Sequence, residues 1–123
     1  MIIYKICHNL EWQAAQAPKV FRGTAKDKED GFLHFSTGAQ VPGTLTRFYA
    51  DATDLMLVAV ESDLLGDRLK WEPASDGQTY PHLHGPLDLS AVRWNVPIPR
   101  KPNGAFALPP QVFVNPDAPQ GRA

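Results

Sequence analysis

Between Gly31 and Thr37 the chain reads Gly-Phe-Leu-His-Phe-Ser-Thr, an imidazole and two adjacent hydroxyls set among apolar residues. Side chains of an extended chain alternate between faces, so Phe32, His34 and Ser36 share one face and Leu33, Phe35 and Thr37 the other. Polar groups in that pattern suit proton transfer, metal binding or hydrogen bonding to a ligand. The remaining histidines are His8, His82 and His84. The i, i+2 spacing of His82 and His84 puts both rings on one face of a strand, where Glu72 or Asp88 could complete a metal site. Against a metal, the spacings match neither His-Glu-x-x-His nor another specific ligand signature, and no metal is expected. A serine triad is discounted as well. His34 and Ser36 stand about 6 to 7 Å apart along a strand, too far for direct proton transfer, and no Gly-x-Ser-x-Gly elbow occurs. Phosphate-cradling glycine loops of the Walker or dinucleotide type are absent too.

These exclusions leave a cleft for a small polar ligand, in which His and Ser donate to hydroxyls or phosphates and Tyr49 or Tyr80 stacks on a ring. Taken singly, most of the aromatic residues are expected in the core. Glu72 stands apart from the other carboxylates because it follows Trp71 and precedes Pro73 at the end of an apolar strand. An acid there would polarise a ribose hydroxyl or stabilise a developing oxocarbenium ion. Arg47 is a candidate for a ligand phosphate, although a surface pair with Asp51 is the simpler expectation.

The elements that position these groups follow from pattern. Ile2 to Cys7 reads as a first strand, and Leu10 to Ala17 as a short helix capped by Asn9. Arg22 to Gly31 is charged and glycine-flanked, predicting a surface loop that delivers the chain into the Gly31–Thr37 strand. Gln40 to Ala50 carries Val41, Leu45, Phe48 and Tyr49 at helical intervals, with Pro42 in the first turn. Asp54 to Val60 is nearly all apolar and predicts a strand buried on both faces. A turn at Leu64-Leu65-Gly66, a strand at Leu69–Pro73 and a polar loop at Ala74–Gln78 follow. Next come a proline-bounded segment, Tyr80–Leu87, and a closing strand, Leu89–Val96. Beyond Pro97 prolines are dense, and Asn115–Ala123 has too little apolar surface to order itself. Strands mixed with two helices imply an α+β domain over residues 1–114.

At 123 residues and 43% hydrophobic content the chain has the size of one domain with a real core. Its 12 basic and 13 acidic residues nearly cancel, so nucleic acid is not a favoured partner. Lone Cys7 excludes an intramolecular disulfide, fits a reducing compartment and reads as a small buried hydrophobe on the first strand. Neither a signal-peptide pattern nor a run of ~20 apolar residues is present, so a cytoplasmic location without a membrane partner is expected. Oligomeric state is not legible.

Together, the Gly31–Thr37 run, Gln40-Val41-Pro42-Gly43-Thr44-Leu45-Thr46-Arg47-Phe48-Tyr49, Asp54-Leu55, Leu69-Lys70-Trp71-Glu72 and Pro81-His82-Leu83-His84-Gly85-Pro86-Leu87 resemble the domain-of-unknown-function 952 (DUF952) family, from about Ile3 to Val96. That family is related by fold to the ADP-ribosyltransferase superfamily. The resemblance therefore implies an ADP-ribosyltransferase-like split, mixed β-sheet with two or three short helices and a nicotinamide-nucleotide cleft between its halves. RNA 2′-phosphotransferases of that superfamily carry a His-x-His-hydrophobic-Ser strand, to which Leu33-His34-Phe35-Ser36 is similar in its last three residues. Their first strand ends in a histidine that binds the NAD ribose and amide, for which His8 is the matching candidate. Asn9 follows it, instead of the Gly-Thr or Gly-Ser common there, and His84 stands where relatives carry an aromatic residue. The resulting expectation assigns His34 and Glu72 to catalysis and His8, Ser36, Thr37, Arg47, Tyr49, Tyr80, His82 and His84 to binding. The expected ligand is NAD or an ADP-ribose-type nucleotide, transferred or hydrolysed. The alternative is a non-catalytic small-molecule or peptide binding module on the same fold.

Overall fold

Three small antiparallel sheets carry the fold in a computed structural model that describes residues 1–114. The tail expected at Asn115–Ala123 lies outside the described residues. The first sheet is ordered β1 (Ile2–His8), β4 (Leu55–Glu61), β8 (Val92–Ile98). Its central strand β4 is buried from Leu55 to Val60, as an unbroken apolar run requires. Leu55, Leu57 and Ala59 join one core cluster with Ile6, Val41 and Leu45. Met56, Val58 and Val60 join the other, with Ile3, Cys7, Trp12, Phe21 and Phe35. The alternation of β4 thus divides the interior into two layers, one on each face of the sheet.

The second sheet is ordered β3 (Leu33–His34), β6 (Thr79–Leu83), β5 (Leu69–Pro73), and a two-stranded ribbon joins β2 (Val20–Phe21) to β7 (Leu87–Asp88). Among the described residues, sheet one is joined by a bridge to the chain just beyond β3 of sheet two. Tyr4 N donates to Ser36 O at 2.8 Å and Ser36 N donates to Tyr4 O at 2.9 Å. Three α-helices among the described residues complete the fold: α1 (Asn9–Ala14), α2 (Ala25–Asp30) and α3 (Val41–Phe48). In α3 the buried residues are Val41 and Leu45, and Pro42 sits in the first turn, where a missing N–H costs nothing.

Several expectations are corrected. Helix α2 occupies the segment predicted as a loop, because Thr24 and Asp27 form a reciprocal cap. Thr24 Oγ1 accepts from Asp27 N at 3.1 Å and Asp27 Oδ2 accepts from Thr24 N at 2.9 Å. Gly31 ends α2 in the left-handed region at φ 87°, a conformation glycine adopts without strain. The predicted Gly31–Thr37 strand shrinks to Leu33–His34 plus the Ser36 bridge. Helix α1 begins at Asn9, so His8 holds the cap position, and Glu11 Oε1 accepts from His8 N at 2.8 Å. The proline-bounded segment carries all of β6 but its first residue, and there Pro81 O accepts from Phe35 N at 3.0 Å. Every strand pairing among the described residues is antiparallel, whereas a mixed sheet was implied. No helix crosses over between neighbouring parallel strands here, and parallel pairing needs such a crossover.

Candidate functional site

Lys5 is the one charged residue of β1, and its side chain is only 3% exposed. A buried ammonium needs a partner, and Asp27 on α2, 1% exposed, supplies it at 2.7 Å. Lys5 Nζ also donates to His34 O at 2.8 Å. The Asp27 carboxylate in turn accepts from Thr24 N, from His34 N at 3.0 Å and from His34 Nδ1 at 2.6 Å. One buried charge pair therefore fixes both the backbone and the ring of His34. On the other side of the ring, Nε2 lies 2.9 Å from Asp30 Oδ2, and Lys26 Nζ lies 3.2 Å from the same oxygen.

A second histidine group sits directly across the strand pair. His34 and His82 are register partners on β3 and β6, and their ring centroids are 5.5 Å apart. Glu72 Oε1 on β5 accepts from His82 Nδ1 and from His84 Nε2, each at 2.8 Å. The Phe32 ring stacks on His82 at 4.1 Å and tilts against His34 at 4.6 Å.

Burial and hydrogen bonding set the charges. Desolvation pushes the Asp27 carboxyl up, but the His34 hydrogen bond, the Lys5 charge and the Thr24 N–H outweigh it and hold the group well below the usual carboxylate range. Burial lowers Lys5, opposed by Asp27. Burial likewise lowers His82, against the pull of Glu72 and with the help of His34. Hydrogen bonds from His84 and His82 lower Glu72. Burial pushes the Cys7 thiol up to about 12, as its hydrophobic position on β1 predicts.

A cleft of about 690 Å³ opens over this construction. His8, His34, Ser36, Arg47, Tyr49, Tyr80 and His82 line it, together with Lys5, Asp27, Asp30, Phe32 and Thr44. Thr37, Glu72 and His84 are not among its lining residues. Thr37 N donates to Gln40 Oε1 at 3.0 Å in the turn before α3. Arg47 pairs with Asp76 at 2.7 Å instead of Asp51, because the loop between β5 and β6 brings Asp76 to α3. Tyr80 OH donates to the same Asp76 carboxylate. Tyr49 OH donates to Ile6 O at 3.2 Å, and its ring meets His8 at 6.1 Å. Ser36 is buried with its hydroxyl 2.9 Å from Thr44 Oγ1.

Lys5, Asp27 and Asp30 are the site residues that sequence reasoning missed. The available signals were a lone lysine inside an apolar strand and the Thr24-x-x-Asp27 cap. Among the described residues no group of three or more His, Cys, Asp or Glu is arranged to hold a metal ion. No helix among them is long and apolar enough to cross a membrane.

A family model described as protein of unknown function (DUF952) matches residues 6–95. The crystal structure of protein CC0527 from Caulobacter crescentus is similar at 37% identity and a TM-score of 0.86, over 93% of this chain and 100% of that one. The solution NMR structure of CC0527 is similar at 39% identity and a TM-score of 0.75, over 85% of this chain and 90% of that one. No curated protein matches.

Proposed function

This chain belongs to the DUF952 family, and within that family we propose that the cleft binds a nucleotide of the NAD or ADP-ribose type and that His34 is its proton-transferring residue. The observation that carries the reading is the buried Lys5–Asp27–His34 chain at the cleft wall. A buried ion pair adds little net stability against an apolar replacement, so holding an imidazole in one orientation is the effect that distinguishes it. A carboxylate on Nδ1 leaves Nε2 as the working nitrogen. The volume and the mixture of aromatic and polar lining suit a nucleotide-sized ligand. The division into two sheets joined at Tyr4 and Ser36 supports an ADP-ribosyltransferase-like arrangement in which His8, Ser36, Tyr49 and Tyr80 hold the ring and ribose and Arg47 the phosphates. In this reading Glu72 acts through His82, whose Nδ1 it accepts from.

A second reading, a binding module without turnover, draws on Asp30, whose carboxylate occupies His34 Nε2. Calorimetric titration with NAD and with ADP-ribose tests the cleft itself: heat is expected for wild type and a weakened signal for His34→Ala. Silence from both ligands at millimolar concentration removes the nucleotide reading. Binding without product in wild type and variant alike selects the module.

A further inference from the structure

His34 and His82 are built alike and finished differently. Each ring has its Nδ1 against a carboxylate, Asp27 for His34 and Glu72 for His82, and both rings line the cleft from adjacent strands. His34 has a carboxylate at each ring nitrogen, Asp27 at Nδ1 and Asp30 at Nε2, and an ionised carboxylate is an acceptor suited to a ring N–H. His82 has one carboxylate contact, at Nδ1, which leaves Nε2 with its lone pair. Burial favours that neutral ring.

We infer that His34 and His82 form a matched acid–base pair that cleaves a phosphate diester of a ribonucleotide held in the cleft. The inference rests on the nucleotide reading above and narrows its substrate class. In the step, a water oxygen forms a bond to phosphorus while its proton passes to His82 Nε2. The bond from phosphorus to the ester oxygen breaks, its electron pair stays on that oxygen, and His34 Nε2 supplies the proton that completes the hydroxyl. The two rings exchange protonation states and reset through solvent. Asp30 holds the Nε2 proton of His34 until the ester oxygen takes its place. A phosphate ester uses both members of the pair. Cleavage of the nicotinamide–ribose bond of NAD would use only one, because nicotinamide departs as a neutral pyridine that needs no proton. Arg47, paired with Asp76 at 2.7 Å, lines the same cleft, and its guanidinium is the group that would meet the phosphate. Glu72 and Asp27 are positioning residues.

The test uses the full chain with adenosine 2′,3′-cyclic phosphate as substrate, product AMP read by ³¹P NMR, and AMP binding measured by calorimetry. Cleavage with a bell-shaped pH dependence of kcat/KM is expected, with a loss of about 100-fold or more in each of His34→Gln and His82→Gln while AMP still binds. The charged and titratable groups facing His82 are Glu72 and Lys70 on β5, His34 on β3 and His84 on β6. Since Glu72 favours the protonated ring, Glu72→Gln is expected to move the acid limb of the profile to lower pH, a shift that mere loosening of the fold would not produce. Long-range ¹H–¹⁵N spectra at pH 7 supply a readout independent of turnover, with His82 protonated on Nδ1 alone. AMP binding without cleavage, cleavage undiminished in His82→Gln, or a His82 ring protonated on Nε2 overturns the pair and leaves the cleft reading standing. No AMP binding in wild type removes the pair, while the titration with NAD and ADP-ribose decides the cleft reading.

Discussion

Replacing Asp27 by Asn is the sharpest probe of the buried construction, because it removes a charge and one acceptor while nearly preserving shape. In the native chain Oδ2 accepts from Lys5 Nζ at 2.7 Å and Thr24 N at 2.9 Å, and Oδ1 from Lys5 Nζ at 2.9 Å, His34 N at 3.0 Å and His34 Nδ1 at 2.6 Å. An amide nitrogen in either position faces at least two donors, and each stranded buried donor costs about 1–3 kcal/mol. Lys5 is left with a buried charge that no anion balances, its partners reduced to one amide oxygen and the His34 carbonyl. Breaking such a pair from one side costs about 3–5 kcal/mol, a large part of the roughly 5–15 kcal/mol that holds a domain together. Urea unfolding at pH 7 is expected to show a loss of that size at unchanged m, with a fall in Tm on the order of 10 °C or more. Adding Lys5→Met removes the stranded charge, so the double variant should be more stable than Asp27→Asn alone, with a coupling of about 1–3 kcal/mol. The native Asp27 carboxyl lies below its ordinary value, so the unfolded chain binds more protons there. Its stabilisation is complete above about pH 4 and is lost as pH falls through the folded value, and Asp27→Asn should flatten that acid limb. A loss under about 1 kcal/mol, or a double variant equal to the sum of the singles, would refute the reasoning.

Other expectations are simpler. The His82 ring is held below its ordinary value of 6.5, so its contribution is complete above that pH and declines as pH falls toward the folded value. Urea midpoints between pH 7.5 and 5.5 should therefore fall less steeply in His82→Gln than in wild type. A Cβ at Gly38 runs into the Val112 carbonyl, whereas a Cβ at Gly43 within α3 meets nothing. Gly38→Ala is expected to cost about 1–3 kcal/mol by overpacking and Gly43→Ala to add about 0.5–1 kcal/mol, both read from denaturant midpoints.

What could be read from the sequence depended on how local the cause was. Strand β4 and helix α3 were legible because Leu55–Val60 and Val41–Phe48 carry their burial in their own periodicity. Helix α2 was not, since Ala25-Lys26-Asp27-Lys28-Glu29-Asp30 has the composition of a solvated loop, and only the Thr24–Asp27 cap marks its start. Asp27 itself looked like one more surface acid. Its burial depends on Lys5, which β1 carries to it, and no local pattern encodes that meeting. His34 and His82 were legible as candidates, but their opposition was not, because it arises from the β3–β6 register. Arg47 met Asp76 in place of Asp51 for the same reason: the hairpin between β5 and β6 decides which acid reaches α3.

Strand β1 also sets an order of events during folding. Lys5 lies opposite Val58 in the first sheet, so the ammonium reaches its buried post only when two distant stretches of chain have found each other. Pairings of that kind form slowly, after local helices have had time to appear. Until then Asp27 and His34 can meet through α2 and β3 alone, with the carboxylate still in water. The competent imidazole is therefore a late product of assembly, and a chain whose long-range sheet has not closed is a chain without its site.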